Sequence, residues 1–276
     1  MSLEDLIEAR ASFPVLIHPR YVVKLVPHRW QPKFEAERAM LLAAQGKLPV
    51  ATPEIVFEGN LDAWSYVVMT RLPGRTARSV FETVSDDARR GIVRAVGAVI
   101  ARLHDLPSDG LDALVVDWPR FVQDQIATCI ERHARGGAAP AWTAAIGERL
   151  LGVASELASP VHLVPMHADV HVDHVLLDED LSLTGLLDFG DALIGDAAYD
   201  FVTPAAFFVR GRADLLAAFF EGYGCALTPE LRRRCAAYQL LHRFSQLQRD
   251  VDMLLPAQAP TSLDEALDAL WPFRAP

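Results

Sequence analysis

A chain of 276 residues, 51% of them apolar, can bury a full core in one large domain or two lobes. Lys and Arg total 26 against 36 Asp and Glu, a net charge of −10 that argues against a nucleic-acid partner and is compatible with a cationic small substrate. No run approaches the ~18 apolar residues of a membrane span, the acidic start MSLEDLIEAR is no signal peptide, and the scattered Cys129, Cys225 and Cys235 suit a reducing compartment, so a cytoplasmic protein is expected, without membrane or nucleic-acid partner, as monomer or dimer.

In chain order, Val15–His18 and Tyr21–Val26 are β-rich runs separated by Pro19-Arg20, a hairpin pattern. Lys33–Ala44 places Phe34, Met40, Leu41 and Ala44 at helical spacing, and Gly46 stops it. Ile55–Phe57 and Ser65–Thr70 read as two more strands around a polar turn at Gly59–Asp62. After Leu72-Pro73-Gly74 the pattern becomes helical, over Ala88–His104, Phe121–His133 and Trp142–Leu157. A short hairpin, Val175–Leu177 and Leu183–Leu187, interrupts these helices. Helices resume over Ala198–Phe208 and Ala213–Tyr223. One more is capped by Thr228 with Pro229 in its first turn, and a last begins at Thr261-Ser262 with Asp264-Glu265 in a capping box. The expected fold is α+β, with a small antiparallel-sheet lobe over residues 1–72 and a mostly helical lobe over 73–276, meeting at a cleft.

The chemistry-bearing residues gather around that short hairpin. Asp169, in His167-Ala168-Asp169, follows an apolar strand-like stretch, where a carboxylate can accept a hydrogen bond from a substrate hydroxyl and orient it. His174 lies five residues on, at the spacing of a second metal-site residue; imidazole is a poor Mg²⁺ ligand, so it is expected either to ligate, to bind a phosphate oxygen or to brace Asp169. Asp188 opens Asp188-Phe189-Gly190 at the end of an apolar strand and is placed to bridge a metal ion to nucleotide phosphates. Lys24 is a lone charge in an apolar strand. Against the bland reading of an edge-strand charge stands a cleft-facing ammonium paired with Glu37, which shares a helical face with Met40 and Leu41 where Glu35 does not. Met69, Thr70 and Leu72 span the lobe joint, where extended backbone can offer an N–H and a C=O to a purine edge while Met69 packs on the ring. Asp191 is a candidate for a cationic substrate; Asp196 and Asp200 read as helix-capping and loop-bracing residues.

These motifs resemble those of the aminoglycoside phosphotransferases, small-molecule kinases with the protein-kinase fold. The resemblance rests on His167-Ala168-Asp169, on Leu183–Asp191 (LTGLLDFGD), on Lys47–Gly59 (KLPVATPEIVFEG) and on Arg71–Gly74 (RLPG), and covers about Tyr21 to Phe208. A histidine at 174 is reminiscent of the 2″-type aminoglycoside and the macrolide kinases. The resemblance implies Asp169 as catalytic carboxylate, His174 and Asp188 at a Mg²⁺ site, and Lys24 with Glu37 as the phosphate-binding pair. It also implies ATP or GTP as phosphate donor and an aminoglycoside-like or other cationic molecule as acceptor. One departure stands out. Only 23 residues precede Lys24, none of them glycine, which leaves room for a short helix and one hairpin, so the family's hairpin over the phosphates is expected to be absent or cut back.

Two other function classes compete. A catalytically degenerate member would bind a small molecule without turning over a nucleotide. A zinc-dependent hydrolase is suggested by Asp169-Val-His171-Val-Asp173-His174, one position away from H-x-H-x-D-H, with His162 and His167 nearby. That reading lacks downstream ligands, since His242 is the sole later histidine, and it leaves Lys24 and the Asp-Phe-Gly unexplained.

Overall fold

A computed structural model describes residues 7–9, 12–159, 162–254 and 260–273. The first lobe is a five-stranded antiparallel sheet, β1 (Ile7–Ala9), β2 (Val15–Ile17), β3 (Tyr21–Pro27), β4 (Ile55–Leu61) and β5 (Trp64–Thr70), in the order β1-β2-β3-β5-β4. Its inner face follows the period of two: Lys24 and Val26 on β3, and Ser65, Val67 and Met69 on β5, are buried, and Lys24 stands opposite Val67 in the register. The helix α1 (Gln31–Ala44), with proline in its first turn, lays Phe34, Glu37, Met40 and Leu41 inward and so carries a carboxylate toward Lys24.

The N-terminal expectation is corrected in one respect. Two hairpins precede the end of β3 rather than one, because β1 pairs with β2 (Ile7 opposite Ile17). A hairpin is therefore present ahead of the lysine strand, with three residues on each side. Residues 1–6, where the short helix would fall, lie outside the described residues. β4 also runs further than expected, through Gly59–Leu61, because Asp62 supplies a left-handed residue (φ 51°) that tightens the turn.

Beyond the joint, β6 (Arg75–Thr76) joins β8 (Val175–Leu177) and β9 (Leu183–Leu186) in a three-stranded sheet, and β7 (Val164–Met166) pairs with β10 (Leu193–Gly195). Around them pack α2 (Asp86–His104), α3 (Trp118–Arg135), α4 (Pro140–Leu151), α5 (Ala154–Ala158), α6 (Ala197–Asp200), α7 (Val202–Pro204), α8 (Ala213–Tyr223), α9 (Pro229–Leu241), α10 (Leu247–Asp252) and α11 (Leu263–Leu270). Ser85, Asp117, Asp196, Thr228 and Ser262 cap α2, α3, α6, α9 and α11, each accepting from a first-turn N–H; Glu265 completes the box by accepting from the Thr261 N–H. The single helix expected over Trp142–Leu157 is two, broken at Gly152-Val153, where the chain turns so that the Leu157 carbonyl accepts from the buried Trp118 indole. Ala198–Phe208 is likewise split at Phe201 and ends in a π-helical turn over Ala205–Val209, closed by the left-handed Arg210. No described helix is long and apolar enough to cross a membrane.

The α2–α8 pair forms the floor of this lobe, and two glycines let it close. A Cβ on Gly222 would sit 1.9 Å from the Arg94 carbonyl oxygen, and one on Gly97 2.2 Å from that of Phe219. Both obstacles are backbone, which cannot swing aside. Gly222→Ala is therefore expected to destabilise by about 1–3 kcal/mol or more, read as a lowered urea midpoint at unchanged slope.

Candidate active site

The loop that follows β7 is held in a strained shape by buried groups from three helices. Ala168 has φ 61°, a conformation costly for a residue with a side chain unless its surroundings enforce it. Asp200, fully buried in α6, enforces it: the Ala168 N–H donates to its Oδ1 at 2.6 Å and the His167 N–H to its Oδ2 at 3.1 Å. His104 of α2 lies 3.0 Å from the same Oδ2, and the His242 Nε2, at the end of α9, donates to the Ala168 carbonyl at 3.1 Å. Burial opposes the charge on Asp200, but the His104 hydrogen bond and nearby histidine and backbone dipoles outweigh it and hold the carboxyl below its usual range.

His167 is spent on the backbone. Its Nδ1 accepts from the Asp169 N–H at 3.2 Å and its Nε2 donates to the Leu187 carbonyl at 2.9 Å, which ties the loop to the residue before Asp188. Phe189 packs on its ring at 4.8 Å between centroids. The loop and the Asp-Phe-Gly turn are thus one rigid unit, and Asp188 emerges from it with φ 62°.

Lys24 and Glu37 lie together, the pairing the sequence pattern suggests, and Asp188, which that pattern places only at a metal position, pairs with Lys24 as well. The Lys24 ammonium sits 2.8 Å from Glu37 Oε2 and 2.8 Å from Asp188 Oδ1, joining a strand and a helix of the sheet lobe to the second lobe. Burial opposes the charge on Lys24, yet the two carboxylates prevail and keep it protonated far above neutral pH. Burial likewise opposes ionisation of Asp188; Lys24, and after it His174, hold it well below the carboxylate range. His174 Nε2 lies 3.7 Å from Asp188 Oδ2, while its Nδ1 donates to the Asp169 carbonyl at 2.7 Å.

A cleft of about 470 Å³ opens above this triad, roofed by Val15, Ile17 and Val22, floored by Leu176 and Leu187, and backed by Met69, Thr70 and Leu72. Apolar walls with a charged end suit a nucleotide. At the joint the Thr70 N–H is taken by the Glu54 carbonyl and the Arg71 N–H by that of Arg20, whereas among the described residues no hydrogen bond engages the Leu72 N–H. The larger concavity of about 700 Å³ beside α8 carries no comparable set, since its Arg212 and Asp214 pair with each other.

On the other side of Asp169 lies a network that the sequence reading missed. Asp191 is not free for a cationic substrate: Lys33 donates to it at 2.8 and 2.9 Å, and Arg243 at 3.0 Å. Lys33 stands four residues before Glu37 on the same face of α1, a periodicity that marks it as a second cleft-facing cation. Arg243 has no sequence signal of that kind. The Asp169 carboxyl itself has no hydrogen-bond partner among the described residues; of the basic nitrogens there, those of His171 at 3.7 Å and His174 at 3.9 Å lie within 4 Å of it. Burial first, then the Asp191 and Asp188 carboxylates, push it up to about 8 against the opposing pull of Arg243 and Lys33. It is a carboxyl kept unpartnered and close to its titration point.

The zinc-hydrolase constellation is not assembled. Asp173 is gripped by both arms of the Arg78 guanidinium, His167 and His242 spend their nitrogens on backbone groups, and His162 is exposed. Among the described residues only Asp169, His171 and His174 bring donor atoms within 4.8 Å of one another.

Comparisons with known proteins bear on the family and the fold. Residues 7–238 match the model of a phosphotransferase enzyme family, APH. The fold is similar to APH(2")-IIIa solved with GDP and kanamycin (TM-score 0.72, 17% identity, 98% of this chain and 93% of that one). It is also similar to the macrolide 2'-phosphotransferase MphH of Brachybacterium faecium (0.59, 24%, 100% and 95%) and to APH(3'')-Id of Streptomyces rimosus with ADP and streptomycin (0.65, 19%, 86% and 93%). At such identities these likenesses are likenesses of fold. The uncharacterized protein YcbJ of Bacillus subtilis (strain 168) is 26% identical over 105 residues, 38% of this chain, and the match spans only 33% of that relative's length. With the family's model matched from the first strand through most of α9, over a two-lobed kinase-like fold, the chain belongs to the APH phosphotransferase enzyme family, whose members transfer a phosphoryl group to an alcohol.

Proposed function

We propose that the protein transfers the γ-phosphate of ATP or GTP to a hydroxyl of a small molecule, with Mg²⁺, in the cleft between a nucleotide lobe (1–72) and a catalytic and acceptor lobe (73–276). The observation that carries this reading is the intact Lys24–Glu37–Asp188 triad at the floor of the cleft, beside the unpartnered carboxyl of Asp169. Lys24, fixed by Glu37, binds the phosphates; the Leu72 N–H and the backbone at Thr70 receive the base, with Met69 against the ring. The Asp188 carboxylate, a hard oxygen donor with a half-exposed side chain, fits Mg²⁺, and His174 Nε2 faces the same position. Bound there, the ion neutralises charge on the phosphates. Asp169 accepts a hydrogen bond from the acceptor hydroxyl and aims its oxygen in line, so that rate comes from positioning and electrostatics more than from covalent chemistry.

The acceptor is a small hydroxyl-bearing molecule. An aminoglycoside-like or otherwise cationic one remains the leading class on the chain's net charge of −10, but Asp191 does not contribute, because Lys33 and Arg243 already neutralise it. A screen of ATP and GTP against aminoglycosides, macrolides, choline and sugars, read by mass spectrometry for addition of one phosphoryl group, tests the reading. Transfer to one acceptor class supports it. Absence of any nucleotide turnover would favour a binding protein that has lost catalysis.

The electrostatics fix the sign of the pH dependence. Since Asp169 must be ionised to accept the hydroxyl proton and sits at about 8 in the free protein, kcat/KM should rise with pH through that region. Asp191→Asn removes the charge that raises it most and frees Lys33 and Arg243, so the midpoint should move to lower pH. An unchanged pH–rate profile in that variant would contradict the assignment.

A further inference from the structure

The six-residue stretch from Asp169 to His174 does more than present a catalytic carboxylate. It packs the His171 and His174 rings at 3.7 Å between centroids, beside Asp169, in a mostly buried niche of which His174 also lines the cleft. His171 has no task in the transfer as derived above. Its Nε2 lies 3.7 Å from Asp169 Oδ2, and one donor atom from each of Asp169, His171 and His174 falls within 4.8 Å of the others. Tetrahedral bonds of about 2.0–2.1 Å hold ligand atoms about 3.3 Å apart; the His171–Asp169 pair is within a few tenths of an ångström of that, and side-chain rotations that draw the widest separation in by up to about 1.5 Å would close all three around one ion.

The supports behind the ligands are in place. His174 Nδ1 faces a carbonyl oxygen, which only accepts, so Nδ1 carries the proton and Nε2 presents its lone pair. His171 Nδ1 lies 3.5 Å from Asp173 Oδ2, and Asp173 is itself anchored by Arg78. That Nδ1 also accepts from the Asp173 N–H at 3.2 Å; an ion on Nε2 would move the ring proton to Nδ1, where the Asp173 carboxylate would receive it. A carboxylate behind a histidine is the support that fixes ring and tautomer in metal sites. Two imidazoles and a carboxylate favour zinc-like transition ions over Mg²⁺, which prefers oxygen.

We propose that Asp169, His171 and His174 form a binding site for a divalent transition-metal ion of the zinc class, separate from the Mg²⁺ position on Asp188 but sharing His174 with it. An ion there occupies the oxygen that the acceptor hydroxyl needs, so its binding and phosphotransfer exclude each other; that consequence rests on the kinase reading, whereas the site does not.

The test uses the full chain, stripped of metal and without nucleotide. Titration with Zn²⁺ in a calorimeter should show one ion bound in the micromolar range or tighter, persisting in millimolar Mg²⁺. Co²⁺ should give the visible absorption of a four- or five-coordinate ion with no sulfur charge-transfer band. His171→Gln should weaken binding by at least about tenfold, and Asp173→Asn, which removes the support and no ligand, by about tenfold. His28→Ala, an exposed histidine outside the cleft, should bind as the parent does. No stoichiometric Zn²⁺ binding to the parent chain, or binding untouched by both His171→Gln and Asp173→Asn, overturns the proposal, even if phosphotransfer is robust. His171-dependent Zn²⁺ binding sustains it, even if no nucleotide is turned over.

Discussion

Replacing Asp169 by Asn is expected to lower kcat by roughly 10²–10⁴-fold, the span of a positioned general base, while leaving Mg·nucleotide affinity close to that of the parent. The geometry separates the two effects, because Lys24, Glu37 and Asp188 bind one another and not Asp169. The same substitution should stabilise the nucleotide-free protein. The Asp169 carboxyl is raised from its ordinary 3.8 to about 8 by burial, then by Asp191 and Asp188. A group raised on folding contributes stability that is full below its unfolded pKa and lost as pH climbs toward the folded one. The Tm of Asp169→Asn should therefore match the parent's near pH 4 and exceed it increasingly up to pH 8, by several degrees at about 2–4 °C per kcal/mol, the scaling of large single chains. Parallel melting curves across that range would show that the carboxyl is not held as described. The trade is the one expected of a catalytic group, with stability given up to keep a buried, unpartnered carboxyl beside other charges.

Asp200→Ala should do the reverse, destabilising first and lowering activity as a consequence. Two backbone N–H groups and His104 converge on this carboxylate in a fully buried position, and they hold Ala168 in its left-handed conformation. Removing one side of such a buried cluster costs about 3–5 kcal/mol, a fall in Tm of roughly 10 °C or more at the same scaling. The pH signature has the opposite sign to that of Asp169. Asp200 is depressed on folding, so its contribution is full above its ordinary 3.8 and is lost as pH falls below it. The parent should lose stability on acidification through that window, and Asp200→Asn should flatten this limb. In the folded fraction of the variant, turnover should fall while nucleotide binding persists, since what loosens is the Ala168-Asp169 turn.

The contrast between these residues shows what a chain pattern can and cannot carry. Asp169, Asp188, Lys24 and Glu37 are legible because each is an ionisable group at the end or on the inner face of an apolar element, and the period of two or 3.6 fixes its direction. Asp200 could be read as a brace because it follows the Asp-Phe-Gly within a helix start. His104 and His242 could not: one ends α2 and the other follows α9, with nothing local to mark the distant carboxylate or carbonyl it meets. Arg243 belongs to the same class, as tertiary packing alone brings it to Asp191. Boundaries failed where local signals were weak. Three-residue strands such as β1 have too little length for alternation to show, and the break at Gly152-Val153 interrupts an apolar spacing that otherwise continues. The β2–β3 hairpin was legible in its two β-rich runs, whereas the β1–β2 pairing was not, since nothing in Ile7–Ala9 distinguishes a strand from a helix start.

The central claim is that the cleft over Lys24 and Asp188 holds a magnesium nucleotide. Calorimetric titration with ATP and GTP, each with and without Mg²⁺, on the parent chain and on Asp188→Ala, addresses it most directly. The geometry predicts binding of at least one nucleotide in the micromolar to submillimolar range, strengthened by Mg²⁺ in the parent and losing that strengthening in Asp188→Ala. Failure of both nucleotides to bind in millimolar Mg²⁺, or Mg²⁺-strengthened binding undiminished by Asp188→Ala, would contradict it.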